Sequence, residues 1–278
     1  MAKKKKFRLL DAVLATVCIT LVVESVAPTA AIGNSQYFWW LLLIAGFCVP
    51  YGMITAELGT TYPSEGGMYD WVKKAFGEKW ASRVAWNYWI NFPLWIASLA
   101  VAVTDVVAGI FGVELSLIWL LVLQLGYTWL VCFLGTRRVT DTKYLVNLGT
   151  VFKVVFVLAL GALGIYTFIK TGESANPIKS VSDLLPSLDL AGLSFVSIII
   201  FNFLGFEVVG TFVDDMENPK KDIPKALVVG GILMALFYIL PATGVNVSMS
   251  LEDAEVASIT ESFAILLTNL GVSSDIVR

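Results

Sequence analysis

Glu24, Ser25, Lys153, Asn202 and Glu207 all stand inside runs of apolar sequence. Glu24 lies in VVESVAP, Val22 to Pro28, whose nearest strongly polar neighbours are Asp11 and Asn34. Asp11 is about 20 Å away by helix rise. A charge at mid-membrane costs about 2.5–3.5 kcal/mol on insertion scales, so such a residue faces a cavity or a partner. The chemistry within reach is recognition and proton transfer. A carboxylate takes an amine or, once protonated, donates a hydrogen bond. A buried lysine can bind and release a proton, although Lys153 is close enough to one end of its run to snorkel instead. Glu207 is deeper than Glu57 or Asp105 and is the better proton-linked carboxylate. Asn202 with Gly205 also fits a polar packing motif between helices.

Catalysis finds little to work with. Histidine is absent from the 278 residues, which removes the commonest metal ligand and general base. Cys18, Cys48 and Cys132 lie inside apolar runs, which argues against a disulfide framework or a metal site. No G-x-S-x-G, H-E-x-x-H or P-loop occurs. The expectation is no enzyme, no catalytic residue, no metal, no cofactor and no nucleic-acid partner.

The elements that must hold these residues are membrane spans. Hydrophobic residues make up 57% of the chain and charged residues 15%, against about 25% charged in soluble domains. Mean hydropathy is +0.78. Apolar runs of about 20 residues, the length that crosses a bilayer core, recur. Spans are predicted at 9–32, 37–59, 81–111, 115–135, 147–170, 191–213 and 226–247. They should be helical, because lipid offers the backbone no hydrogen-bond partners. With the N-terminus in the cytoplasm, 15 of the 19 lysines and arginines fall on inside segments, as the positive-inside rule asks. A multi-pass cell-membrane protein follows, with the lipid bilayer as its surroundings. Trp39, Trp40, Trp71, Trp80 and Trp119 fall near span ends, as interfacial anchors or as ordinary packing. The tail from Ser248 is acidic and then reads SFAILLTNLG, an outer surface helix or the start of an eighth span.

Two spans are interrupted. Pro28 lacks an N–H, so the first helix should kink or break just before it. The sixth, SFVSIIIFNFLGFEVVGTFV, is interrupted by Asn202, Gly205 and Glu207, and glycine allows unwinding. Breaks in the first and sixth spans match a five-plus-five inverted repeat, the best sequence pointer to a transporter site at the midplane. Half-helix starts hold a carboxylate and half-helix ends hold an ammonium group.

Two motifs carry a resemblance. AELGTTYPSEGGMYDWVKKAFG, Ala56 to Gly77, resembles the loop after the second helix of amino acid–polyamine–organocation permeases, with P-x-x-GG-x-Y and a later FG. FLGFEVVGTFVDDMENPKKDIPKAL, Phe203 to Leu227, resembles that family's sixth helix and following loop. The resemblance spans the chain but only the front half or so of the ten-helix core. It implies an all-α, LeuT-like inverted-repeat fold truncated after helix seven, with 1–170 as the first repeat and 191–278 as the start of the second. Val22, Val23, Glu24, Ser25 and Val26 would replace the family's Gly-small-Gly, whose amides hold a substrate carboxylate. Phe201 would be the gating aromatic, and Asn202, Leu204 and Gly205 would line the unwound stretch. Glu207 would match the family's acidic residue. Lys153 would match a helix-five lysine of proton-coupled members, favouring a proton over sodium.

The sequence departs from that pattern in having no glycine between Val22 and Val26. Glu24 would repel a substrate carboxylate and could recognise an amine. The expected function is secondary transport of amino acids or related amines by alternating access, proton-coupled or by exchange. Alternatives are a polyamine or cationic amine permease, and a non-transporting sensor or fragment. A seven-helix receptor fits less well, since it would put the N-terminus outside.

Overall fold

The computed structural model describes residues 7–111, 113–137, 139–186, 190–256 and 259–272. Among the described residues the regular structure is helical, apart from a bridge between Phe7 and Met216. Six helices are long and apolar enough to cross a membrane, and a bent pair at the front makes a seventh span.

The first span is α1 (Leu9–Thr20), a 3-10 turn at Val23–Ser25 and α2 (Val26–Ala30). The two halves meet at 44°. The break falls at Leu21 and Val22, both extended, rather than just before Pro28. Pro28 sits in the first turn of α2, where its missing N–H would be unpaired in any case.

The second span joins α3 (Gln36–Leu43) to α4 (Val49–Thr61) through a π-helical turn at Ile44–Cys48. A short helix α5 (Met68–Phe76) precedes α6 (Glu78–Phe111) and α7 (Leu117–Gly135). The fifth span is α8 (Val139–Thr171). The sixth is α9 (Leu190–Asn202), broken at 203–205 and continued by a 3-10 helix at Phe206–Asp215. The seventh is α10 (Pro219–Ser248). The tail forms α11 (Leu251–Val256) and α12 (Ile259–Asn269), packed back onto α2, α8 and α10.

The core gathers around α1, α2, α8 and α10. Glycines let α8 and α10 touch: a Cβ on Gly164 would fall 2.4 Å from Cα of Gly244. Close backbone approach of this kind holds helices together where lipid supplies no hydrophobic contrast. The α6 and α7 faces carry exposed apolar side chains such as Trp89, Leu94, Ile118 and Trp129, the surface lipid would cover. Trp80 and Trp119 are exposed, while Trp39, Trp40 and Trp71 are packed inside. The tryptophans therefore divide between anchor and core.

The two ends of α1 and α2 are tied differently. Near the start of α1, Lys143 Nζ donates to Asp11 Oδ2 at 2.8 Å and Asn147 Nδ2 to Asp11 Oδ1 at 2.9 Å. Phe7 N donates to Asp215 O at 3.0 Å, and Glu217 N to Phe7 O at 3.3 Å. Beyond α2, Gln36 Nε2 donates to Asn246 Oδ1 at 3.1 Å, and Asn246 Nδ2 to Asn34 Oδ1 at 3.0 Å.

Candidate substrate and coupling site

A helix broken in the membrane releases carbonyls at one end and amides at the other, and each needs a partner. At the helix-1 break two side chains supply them. Lys153 Nζ donates to Leu21 O at 3.0 Å and to Cys18 O at 3.2 Å. A cation at a helix C-terminus also meets the negative end of the helix dipole. Lys153 therefore points inward, at the break, rather than snorkelling. Tyr238 Oη donates to Thr20 O at 3.0 Å and accepts from Val22 N at 2.9 Å. Tyr238 is held by stacking on Trp40 at 4.6 Å between ring centroids, and Trp40 meets Phe203 edge-on.

Glu24 and Lys153 line one cavity of about 510 Å³, together with Val23, Phe152, Val155, Phe156 and Ala159. The carboxylate is exposed and the lysine half-buried. The rest of the lining is apolar. The cavity thus holds one carboxylate and one ammonium between apolar walls, and the ammonium is turned to the carbonyls of Leu21 and Cys18.

The two breaks meet through Ser25 and Asn202. Ser25 Oγ lies 2.8 Å from Val22 O and 2.8 Å from Asn202 Oδ1. Asn202 is fully buried, and its Nδ2 has no hydrogen-bond partner among the described residues.

At the helix-6 break Gly205 has φ +108°, and a Cβ there would lie 2.8 Å from Ile19 Cγ2 of α1. Only glycine meets both conditions. Glu207 follows, 6% exposed. It accepts from Gly205 N at 3.0 Å, from Tyr88 Oη at 2.9 Å and from Tyr51 Oη. Three donors from α4, α6 and its own turn thus converge on one carboxylate.

The structure brings Val23, Glu24 and Lys153 to one cavity, Val22, Ser25 and Asn202 to the contact between breaks, and Gly205 to Glu207. Val26 is buried beneath the turn, while Phe201 and Leu204 are exposed, at 52% and 44%. Neither Phe201 nor Leu204 lines the Glu24 cavity. Glu57 and Asp105 are exposed, as expected for groups that reach water. Sequence reasoning missed Tyr238, Tyr51, Tyr88 and the Asp11–Lys143 pair. The three tyrosine hydroxyls inside apolar helices were a visible signal, because a buried hydroxyl needs a partner.

An all-α chain with a bent first span and an interrupted sixth, joined at their breaks, has the form of a multi-pass membrane permease. The amino acid permease profile matches residues 7–277, and the chain belongs to that family. It is 46% identical over 265 residues to a Lactococcus lactis protein described as a "probable agmatine/putrescine antiporter", covering 95% of this chain and 56% of the relative. It is 28% identical over 218 residues to an L-methionine/branched-chain amino acid exporter of Escherichia coli, covering 78% of this chain and 49% of the relative. It is also 28% identical over 236 residues to a "probable polyamine transporter" of Arabidopsis thaliana, covering 77% of this chain and 44% of the relative. The chain spans about half the length of the curated relatives it matches. These relatives are named as transporters, not as enzymes.

Proposed function

We propose that this chain supplies the broken-helix site of a secondary transporter for cationic amines, working by alternating access with amine exchange or proton coupling. The observation that carries this reading is the cavity shared by Glu24 and Lys153. Glu24 is the recognition group for the amine. The apolar walls, with Phe152 and Phe156, accommodate its methylene chain. The name of the Lactococcus lactis relative supports amines over neutral amino acids as cargo.

Lys153 is the proposed carrier of the coupling proton, since it grips the carbonyls of the helix-1 break and lines the same cavity. Losing its charge would leave two neutral hydrogen bonds where two charge-assisted ones stood, weakening the hold on α1. Glu207 is the second candidate for the proton. Phe201 is the proposed gate, with Asn202, Leu204 and Gly205 along the unwound stretch. The bias of basic residues supports an N-terminus in the cytoplasm and a position in the cell membrane. The spans through 170 form the first inverted repeat and those from 191 the start of the second.

The test is uptake of labelled putrescine, agmatine and neutral amino acids into proteoliposomes, with the protein expressed from its complete reading frame. Amine uptake is expected to fall about tenfold or more in Glu24→Gln, the scale of one charge-assisted hydrogen bond. Uptake of neutral amino acids alone, unchanged in Glu24→Gln, would make Glu24 structural and return the site to the backbone of the two breaks.

A further inference from the structure

We infer that Tyr238 is a specificity-determining residue: its hydroxyl occupies the anion-binding end of the helix-1 break, so the site takes amines that lack an α-carboxylate and rejects their parent amino acids. This deepens the amine-transport reading and rests on it.

The start of a half-helix presents free amides and the positive end of a dipole, which is where a substrate carboxylate would sit. Here that position is filled. Val22 N donates to Tyr238 Oη at 2.9 Å. Ser25 N donates to Val22 O at 3.2 Å, and Val26 N to Val23 O. The remaining amides of the window, at Val23 and Glu24, lie in the same turn that carries the Glu24 carboxylate, whose charge opposes a second anion.

Tyr238 is firmly placed to do this. It is 1% exposed and stacks on Trp40 with an interplanar angle of 18°. Its one proton goes to Thr20 O at 3.0 Å, so the oxygen faces Val22 N–H as an acceptor. An approaching carboxylate would have to displace it. A primary amine or guanidinium has no such requirement: it pairs with Glu24 beside the apolar walls, while the Lys153 ammonium that shares the lining is engaged by the Leu21 and Cys18 carbonyls.

Matched pairs of cargo test the proposal. Labelled agmatine and arginine, and putrescine and ornithine, each differ by one carboxyl group at one carbon. Wild-type proteoliposomes are expected to take up each amine at least about tenfold faster than its parent amino acid. Tyr238→Phe keeps the ring against Trp40 and frees Val22 N–H. It is expected to raise the arginine-to-agmatine and ornithine-to-putrescine ratios about tenfold. Glu24→Gln alone should lower amine uptake without matching that rise, because Tyr238 still covers the amide.

Wild-type protein that carries arginine as well as agmatine would overturn the selectivity proposal and leave the amine reading standing. Wild-type ratios retained in Tyr238→Phe would overturn the role of Tyr238. No amine uptake by the wild type would overturn both. Should Tyr238→Phe lose its fold, competition on the wild type decides: arginine that displaces labelled agmatine as well as putrescine does overturns the proposal.

Discussion

Lys153 and Leu21 meet at the point where the first membrane helix stops being helical. The ammonium of α8 donates to the Leu21 carbonyl at 3.0 Å, and to Cys18 one turn earlier at 3.2 Å. A hydrogen bond to a charged group contributes about 1.5–3 kcal/mol. The proposed cycle rests on this contact: the Lys153 charge fixes the break, and the hold on α1 weakens without it.

That relationship gives a first prediction. Lys153→Ala is expected to abolish the dependence of amine uptake on an imposed pH gradient while amine binding persists. Uptake measured in paired liposomes, with and without the gradient, checks it. A Lys153→Ala protein with the wild-type pH response would remove Lys153 from the coupling step.

The buried pair of Asp11 and Lys143 gives a second. Asp11 accepts from Lys143, from Asn147 and from the Arg8 amide at 3.0 Å. Lys143→Met strands the carboxylate among buried neighbours, and breaking such a pair costs about 3–5 kcal/mol. Asp11→Asn combined with Lys143→Met leaves no orphan charge and should cost clearly less. Unfolding of both single variants and the double variant in detergent reads the coupling. Equal stability of Lys143→Met and wild type would show that the pair does not hold α1 to α8.

Much of this fold was legible because membrane insertion writes itself into composition. Each of the seven predicted spans corresponds to a helix or a broken helix, since lipid requires long apolar runs with internal backbone pairing. Helix ends were less legible. Pro28 suggested the break, yet the chain breaks at Leu21 and Val22, because Lys153 and Tyr238, distant in sequence, satisfy the groups exposed there. Two charges out of place in the sequence, Glu24 and Lys153, share a cavity in the structure. The three tyrosines were visible as hydroxyls in apolar helices, but such a tyrosine does not say which partner its hydroxyl meets. Short α5 was also missed, since an amphipathic surface helix lacks the long apolar signal of a span.

Gly205 gives a third prediction with two separable parts. Its φ of +108° disfavours any side chain, and a Cβ would press on Ile19 Cγ2 at 2.8 Å. Left-handed backbone costs a non-glycine residue about 1–2 kcal/mol, and the clash adds to it. Gly205→Ala is expected to lower the thermal midpoint and weaken amine binding. Adding Ile19→Ala should recover the steric part and leave the backbone part. No recovery at all would mean that α1 and the helix-6 break do not approach as closely as the structure places them.

Glu207 gives the last. Its carboxylate gathers Gly205 N, Tyr88 Oη and Tyr51 Oη, so the helix-6 break is tied to α6 and α4 through one side chain. Removing one hydroxyl leaves a buried acceptor short of a donor, at a cost of about 1–3 kcal/mol. Tyr88→Phe and Tyr51→Phe are each expected to destabilise the protein by that amount. Their double variant should not equal the sum, because both act on one carboxylate. Glu207→Gln can turn its amide N–H to Tyr88 Oη, which then accepts, and keep its oxygen toward Gly205 N and Tyr51 Oη. It strands no donor or acceptor and should therefore destabilise no more than either tyrosine variant. With Lys153 as the proton carrier, Glu207→Gln slows amine uptake yet keeps its response to a pH gradient. Unfolding in detergent and gradient-driven uptake, measured on the same preparations, separate the two roles. A Glu207→Gln protein that loses the pH response, beside a Lys153→Ala protein that retains it, would move the coupling proton from α8 to the helix-6 break.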